Sequence, residues 1–212
     1  MSLARFPAVF LVSGLLASGP AAPPALSSAS PGPSERLSPE HEGVPEKFPG
    51  HTAVVGEEAP DFRLRDVEGR WRDLGEFLGR GYLVVFFGSA SSANFRRSAP
   101  EMDRLAAKWE RLEVQVVLVY TREAHPATLR EAPRNFGERS ALARRTRKDI
   151  GLGIPVLVDE WNDAVHRSYG AMPDAAFLLD PRGKILVRQA RTGPASLEKE
   201  LRRLLEVPGP PP

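Results

Sequence analysis

Between Val54 and Glu206 the chain alternates short apolar runs with segments of helical spacing. Asp61-Phe-Arg-Leu-Arg65 alternates apolar and polar, the period of a half-exposed strand. Val67-Glu-Gly-Arg70 reads as a turn, and Leu74, Phe77 and Leu78 as a short amphipathic turn. Tyr82 to Phe87 and Val114 to Tyr120 are continuous apolar runs, as expected of strands buried on both faces. Between them, Phe95, Met102, Leu105, Trp109 and Leu112 fall at helical spacing over Ser92 to Leu112. Pro100 interrupts that pattern and predicts a kinked or split helix, because its ring clashes with the preceding turn. Arg122 to Gly137 is irregular and carries Pro126 and Pro133. Ser140 to Ile150 predicts a helix, Pro155 to Asp159 a strand, and Asp163 to Tyr169 a short helix. Ala175 to Leu179 and Lys184 to Arg188 flank Asp180-Pro-Arg-Gly183, a hairpin turn. Leu197 to Leu205 predicts a closing amphipathic helix.

Parallel βαβ units followed by an antiparallel hairpin and a last helix define an α/β fold of thioredoxin-like layout. Its central mixed sheet is flanked by helices and ends in a C-terminal β-hairpin and helix. Periodicity alone also permits a flavodoxin-like sheet; the late hairpin favours the thioredoxin-like one.

The N-terminus departs from this pattern. Met1 to Arg5 is short and positive, Phe6 to Ala17 is mostly apolar, and small residues follow. That is the layout of a secretory signal peptide over residues 1–25, or of an uncleaved anchor. Its apolar core falls short of the roughly 20 residues of a comfortable span. Residues 26–53 are rich in Pro, Ser, Ala and Glu and read as a flexible linker. The folded domain is then 54–206, with a proline-rich tail at 207–212. The expectation is export to the periplasm or cell envelope, or secretion, with membrane contact only through an uncleaved N-terminal segment.

Composition removes several chemistries. There is no cysteine, which excludes disulfides, thiolate catalysis and cysteine-based metal sites. The four histidines, His41, His51, His125 and His166, are scattered, and none has a partner at i+4 for a zinc site of HExxH type. Asp159, Glu160 and Asp163 do not have the spacing of an EF-hand loop and read as a solvated strand end and helix cap. No metal and no cofactor is expected. The formal charge is +2. Arg134, Arg139, Arg144, Arg145, Arg147 and Lys148 form a local basic block, read as a solvated helix face or as an anion-binding surface. No aromatic residues interleave with it, so nucleic acid is not an expected partner. Trp71, Trp109 and Trp161 read as core and core-edge residues, and His166 as a surface or packing residue.

In open α/β sheets the ligand site lies beyond the carboxyl ends of the strands. Three segments emerge there: Gly88 to Asn94, Thr121 to Pro126, and Gly170 to Asp174. The first opens a helix, whose free N–H groups favour an anion, and Ser91 or Ser92 there can act as an N-cap. Phe87-Gly-Ser-Ala-Ser-Ser-Ala-Asn-Phe95 resembles the active-site stretch of iodothyronine-deiodinase-like proteins. Glu123-Ala-His-Pro126, Tyr169-Gly-Ala-Met-Pro173 and Thr192-Gly-Pro194 are similar to later parts of the same pattern. Glu58-Ala-Pro-Asp-Phe62 is similar to the opening of the wider redoxin and peroxiredoxin group.

The resemblance implies a thioredoxin-like fold and a site at named positions. Ser92 falls where the family carries its reactive selenium or sulfur, and Ala90 where some members carry a helper cysteine. Ala93 and Asn94 replace the usual prolines. Glu123 and His125 match a loop associated with substrate handling and proton relay. Pro173 matches the cis-proline opposite the active-site helix, and Ser89, Ala90, Ser91 and Pro173 would line the cleft. The resemblance also implies a homodimer. Two functional readings follow. In the first, the chain is a non-redox binding protein, or degenerate oxidoreductase, that holds a small molecule or protein in the cleft. In the second it is an enzyme. Ser92 would be its nucleophile, His125 its base and Glu123 the orienting group for acyl transfer or hydrolysis, or residual deiodinase- or peroxiredoxin-like activity would remain.

Overall fold

The computed structural model describes residues 53–170 and 172–206. The expected signal peptide, nearly all of the linker and the tail lie outside them. Ala53, the last expected linker residue, is already buried against the core.

Seven strands form one mixed sheet in the order β2-β1-β5-β4-β3-β6-β7. They are β1 (Arg63–Asp66), β2 (Trp71–Asp73), β3 (Leu83–Gly88), β4 (Gln115–Tyr120), β5 (Val156–Val158), β6 (Ala176–Leu179) and β7 (Ile185–Gln189). The three central strands β5, β4 and β3 are parallel, and the strands outside them join antiparallel. Helices α1 (Ala93–Trp109) and α2 (Phe136–Ile150) make the two crossovers between the parallel strands, α3 (Ala164–Ser168) precedes β6, and α4 (Pro194–Leu204) closes the chain. The thioredoxin-like layout expected from the element order is the one observed. The three-residue strand β2 was not anticipated; it pairs with β1 across the Val67–Arg70 turn.

β3 shows why its sequence is apolar throughout. Val84 and Phe86 face one core with Leu118, Tyr120, Val158 and Leu178, against Phe95, Met102 and Trp109 of α1 and Leu197 and Leu201 of α4. Leu83, Val85 and Phe87 face a second core with Phe62, Phe77, Val119, Tyr169 and Phe177. Each fully buried side chain of this kind contributes about 1.5–3 kcal/mol relative to exposure.

α1 runs through Pro100 without the predicted split. Proline deletes one backbone bond there, but Phe95 and Ala99 before it, and Met102, Leu105 and Trp109 after it, are all buried. The apolar stripe holds both halves on the sheet. Leu112 differs from expectation: it lies beyond α1 in a 3-10 turn and is 46 % exposed. The turn between β6 and β7 forms as read. Gly183 sits at φ 88, and Asp180 Oδ1 accepts from the N–H groups of Arg182 and Lys184.

Candidate functional site

The register places the ends of the parallel strands in one row. Gly88 pairs with Tyr120, and Tyr120 with Val158. Asp174, which precedes the antiparallel β6, arrives at the same edge, since Phe86 pairs with Ala176. All three segments expected at the sheet's carboxyl edge therefore meet there.

Gly88 makes the close turn into α1 possible. A Cβ at this position would lie 2.2 Å from Cδ2 of Phe95, so only glycine lets the ring close over the strand end. The chain then passes through Ser89, Ala90 and Ser91 to Ser92, the N-cap of α1. The Ser92 hydroxyl accepts from the Phe95 N–H at 3.1 Å and donates to Asp174 Oδ2 at 2.9 Å. Ser92 is 3 % exposed. Asp174 Oδ1 is buried with no hydrogen-bond partner. The Asp174 carbonyl is fixed by Thr192, whose N–H and hydroxyl both donate to it.

The loop after β4 is tied to the α1 entrance at several points. Ser89 Oγ accepts from the Ala124 N–H at 3.2 Å, and Ser91 Oγ from the His125 N–H at 2.9 Å. In return the Ser91 N–H donates to Glu123 Oε2 at 2.8 Å. The Tyr120 hydroxyl donates to Glu123 Oε1 and accepts from the Ala90 N–H at 3.0 Å. Burial, and then the adjacent Glu123 carboxylate, push the Tyr120 phenol well above its ordinary range, so it remains a donor. Arg96 Nε closes the ring of contacts on the Ala90 carbonyl at 2.7 Å.

The residues expected from the sequence thus divide. Ser89, Ala90, Ser91, Ser92 and Glu123 share one hydrogen-bonded unit. His125 joins it through its backbone; its exposed imidazole makes no hydrogen bond to Ser92. The Ser92 proton goes to Asp174, and the Glu123 carboxylate goes to Tyr120 and Ser91, so a Ser92–His125–Glu123 relay is not assembled. Pro173 is exposed, and the Met172–Pro173 bond is trans, since no peptide bond among the described residues is cis. Pro173 matches the family's proline by position, without the cis bond found there. Tyr120 and Asp174 stand in the sequence only as the ends of their segments, and nothing local marks Arg96. Asp174 directly follows Met172-Pro173 and closes the segment expected at the sheet's carboxyl edge, and these are its two signals in the sequence.

A second cluster lies at the end of β5. Asp159 is fully buried, and its carboxylate accepts from the N–H groups of Glu160, Val165 and His166. Burial raises its pKa to about 6 against the pull of those amides. Asp163 is 4 % exposed and ion-paired at 3.0 Å with both Arg139 Nη1 and Arg122 Nε. The expected solvated strand end is therefore a buried one. The basic block departs from both readings at three of its members. Arg139 donates to the Asp159 and Glu160 carbonyls, Arg144 to the Val67 carbonyl, and Arg147 to the Leu152 carbonyl. Arginine serves here because its five donors reach several carbonyls left unpaired beyond strand and helix ends. His166 is buried as a packing residue beside Phe87, with ring centroids 5.7 Å apart, and burial lowers its pKa. Trp109 is in the core, whereas Trp161 is 46 % exposed.

Comparison with known proteins places this frame. The AhpC/TSA family pattern matches residues 55–188. The thiol-disulfide oxidoreductase ResA of Geobacillus thermodenitrificans is 31 % identical over 140 residues, covering 65 % of this chain and 71 % of the relative. ResA of Geobacillus kaustophilus is 29 % identical over 161 residues, covering 75 % and 81 %. The crystal structure of a putative thiol:disulfide interchange protein DsbE from Chlorobium tepidum aligns with a TM-score of 0.57 at 24 % identity, covering 73 % of this chain and 98 % of that one. This last likeness concerns the fold. With a family match over most of its folded part and a row of strand ends arranged as described, the chain belongs to the AhpC/TSA family of thioredoxin-like proteins, without a single cysteine.

Proposed function

We propose that this chain is a family member without thiol redox chemistry that uses the strand-end site as a binding cleft. The observation that supports this reading is the state of Ser92. It stands at a helix N-terminus, where a thiolate would be stabilised. Its oxygen instead accepts from Phe95 and donates to Asp174. A serine oxygen does not cycle between oxidised and reduced forms as sulfur does, and no cysteine exists elsewhere to substitute.

Within the family, the FGSASSANF and EAHP stretches favour a deiodinase-like branch. The cleft's ligand is then a small molecule or a protein segment. The N-terminal pattern favours export to the periplasm or envelope. No helix among the described residues is long and apolar enough to cross a membrane. No observation favours acyl transfer by Ser92 with His125.

The test is turnover by the purified wild type. Insulin reduction and iodothyronine deiodination with dithiothreitol should run no faster than with dithiothreitol alone. A rate that scales with protein concentration in either assay would overturn the reading.

A further inference from the structure

The loop that carries Glu123 lines a cavity. Its volume is about 350 Å³, within the range of small-molecule sites. Pro126, Pro133 and Trp161 supply apolar walls, and Thr121, Arg139 and Asp163 also line it, with Arg122 and Glu123 beside them. It lies past the carboxyl ends of β4 and β5, where open α/β sheets take ligands.

The hydrogen-bonding state of its lining decides what it can hold. The two carboxylates are already engaged from within the fold. Glu123 holds Tyr120 and Ser91, and Asp163 lies between two guanidinium groups. Arg139 is 2 % exposed and committed to the Asp159 and Glu160 carbonyls and to Asp163. Arg122 differs: only its Nε faces Asp163, and its side chain is 60 % exposed. It is the cation in the lining with donors to spare. Trp161 supplies the exposed aromatic surface. The Arg139 guanidinium lies 4.8 Å from the ring centroid, and nearly half of the residue remains exposed.

We infer that this cavity binds a small planar carboxylate, its ring lying on Trp161 between the two prolines and its carboxylate held by Arg122. Planar guanidinium-to-carboxylate pairing supplies orientation, and ring contact with tryptophan supplies apolar burial. Asp163 offers little to a cationic ligand, because it already lies between two guanidinium groups; Glu123 is turned toward the neutral Ser91 amide and Tyr120 hydroxyl that hold it. The inference does not depend on the absence of redox chemistry at Ser92, and its test does not involve that residue.

Benzoate is the probe, with benzamide as its uncharged counterpart. Titration of the wild type, followed by tryptophan fluorescence and by isothermal calorimetry, should give saturable benzoate binding with Kd on the order of 1 mM. Benzamide should bind at least about tenfold more weakly. Arg122→Gln should raise the benzoate Kd about tenfold or more, and Arg122→Lys should restore part of the affinity. Trp161→Phe should abolish the fluorescence change while calorimetry still detects binding. Both replaced side chains are substantially exposed, so the melting temperature should hold within a few degrees. The inference is overturned if benzoate shows no saturation up to about 20 mM, if benzamide binds equally well, or if Arg122→Gln leaves the Kd unchanged.

Discussion

Replacing Ser92 by cysteine places a sulfur at the head of α1 but not, by this geometry, a reactive thiolate. The hydroxyl of Ser92 lies 2.9 Å from the Asp174 carboxylate and donates to it. A thiolate at that position faces a negative charge instead. At a sulfur–oxygen separation of about 3.3 Å and an effective dielectric of about 20, two unit charges repel by about 5 kcal/mol. The Phe95 amide and the helix end offset about 1–3 kcal/mol of this. The remainder raises the introduced thiol by roughly 1.5–3 pKa units above its ordinary value of about 8.5. The assay is the pH dependence of iodoacetamide alkylation, which reports thiolate directly in a chain with no other cysteine. Ser92→Cys should titrate with a midpoint near 10 or above, and Ser92→Cys/Asp174→Asn should fall back by at least a full unit. At pH 7.5 the double variant should react about tenfold faster or more. A single variant with a midpoint at or below about 7.5, or one that Asp174→Asn does not move, would refute the reasoning. It would show that this is an intact redox pocket short of one atom.

Three further outcomes are expected. Tyr120→Phe removes the donor to Glu123 and the acceptor of the Ala90 amide, and should lower stability by about 1–3 kcal/mol in chemical denaturation. Gly88→Ala places a methyl 2.2 Å from the Phe95 ring and should cost about 1–3 kcal/mol, part of which Phe95→Leu in the same chain should recover. Asp159 has a folded-state pKa of about 6, above its unfolded value of about 3.9. Between those values the folded protein binds the extra proton, so this group's contribution to stability falls as pH rises from about 4 to about 6 and is level beyond. Denaturation of wild type and Asp159→Asn across that window should therefore show the difference, wild type minus variant, shrinking by up to about 3 kcal/mol. A constant or growing difference would contradict the assigned shift.

The fold was legible where burial left one solution. Strands β3 and β4 are apolar at nearly every position because both faces are covered, and the turn at Asp180 to Gly183 carries its own conformational requirements. What was not legible depended on distant partners. Pro100 predicts a kink or a split by local sterics, and the buried stripe on either side of it keeps the helix in one piece. Asp159 and Asp163 look solvated in a loop sequence, and only the amides of α3 and the arginines at positions 122 and 139 explain their burial. At the site, Ser92 was identified as an N-cap candidate by position. Its bond to Asp174 spans 82 positions, and no local pattern announces it.

The proposed cleft at Ser92 and the Arg122–Trp161 cavity share one loop. Ser89 and Ser91 grip that loop at Ala124 and His125, and Glu123 grips back at Ser91. Whatever shifts the loop on one side therefore shifts the hydrogen bonds on the other. Thermodynamic reciprocity follows: an occupant of the cavity that prefers one loop position changes affinity in the cleft by the same factor that an occupant of the cleft changes affinity in the cavity. The Ser89 and Ser91 hydroxyls are the contacts through which the two proposed sites would be coupled.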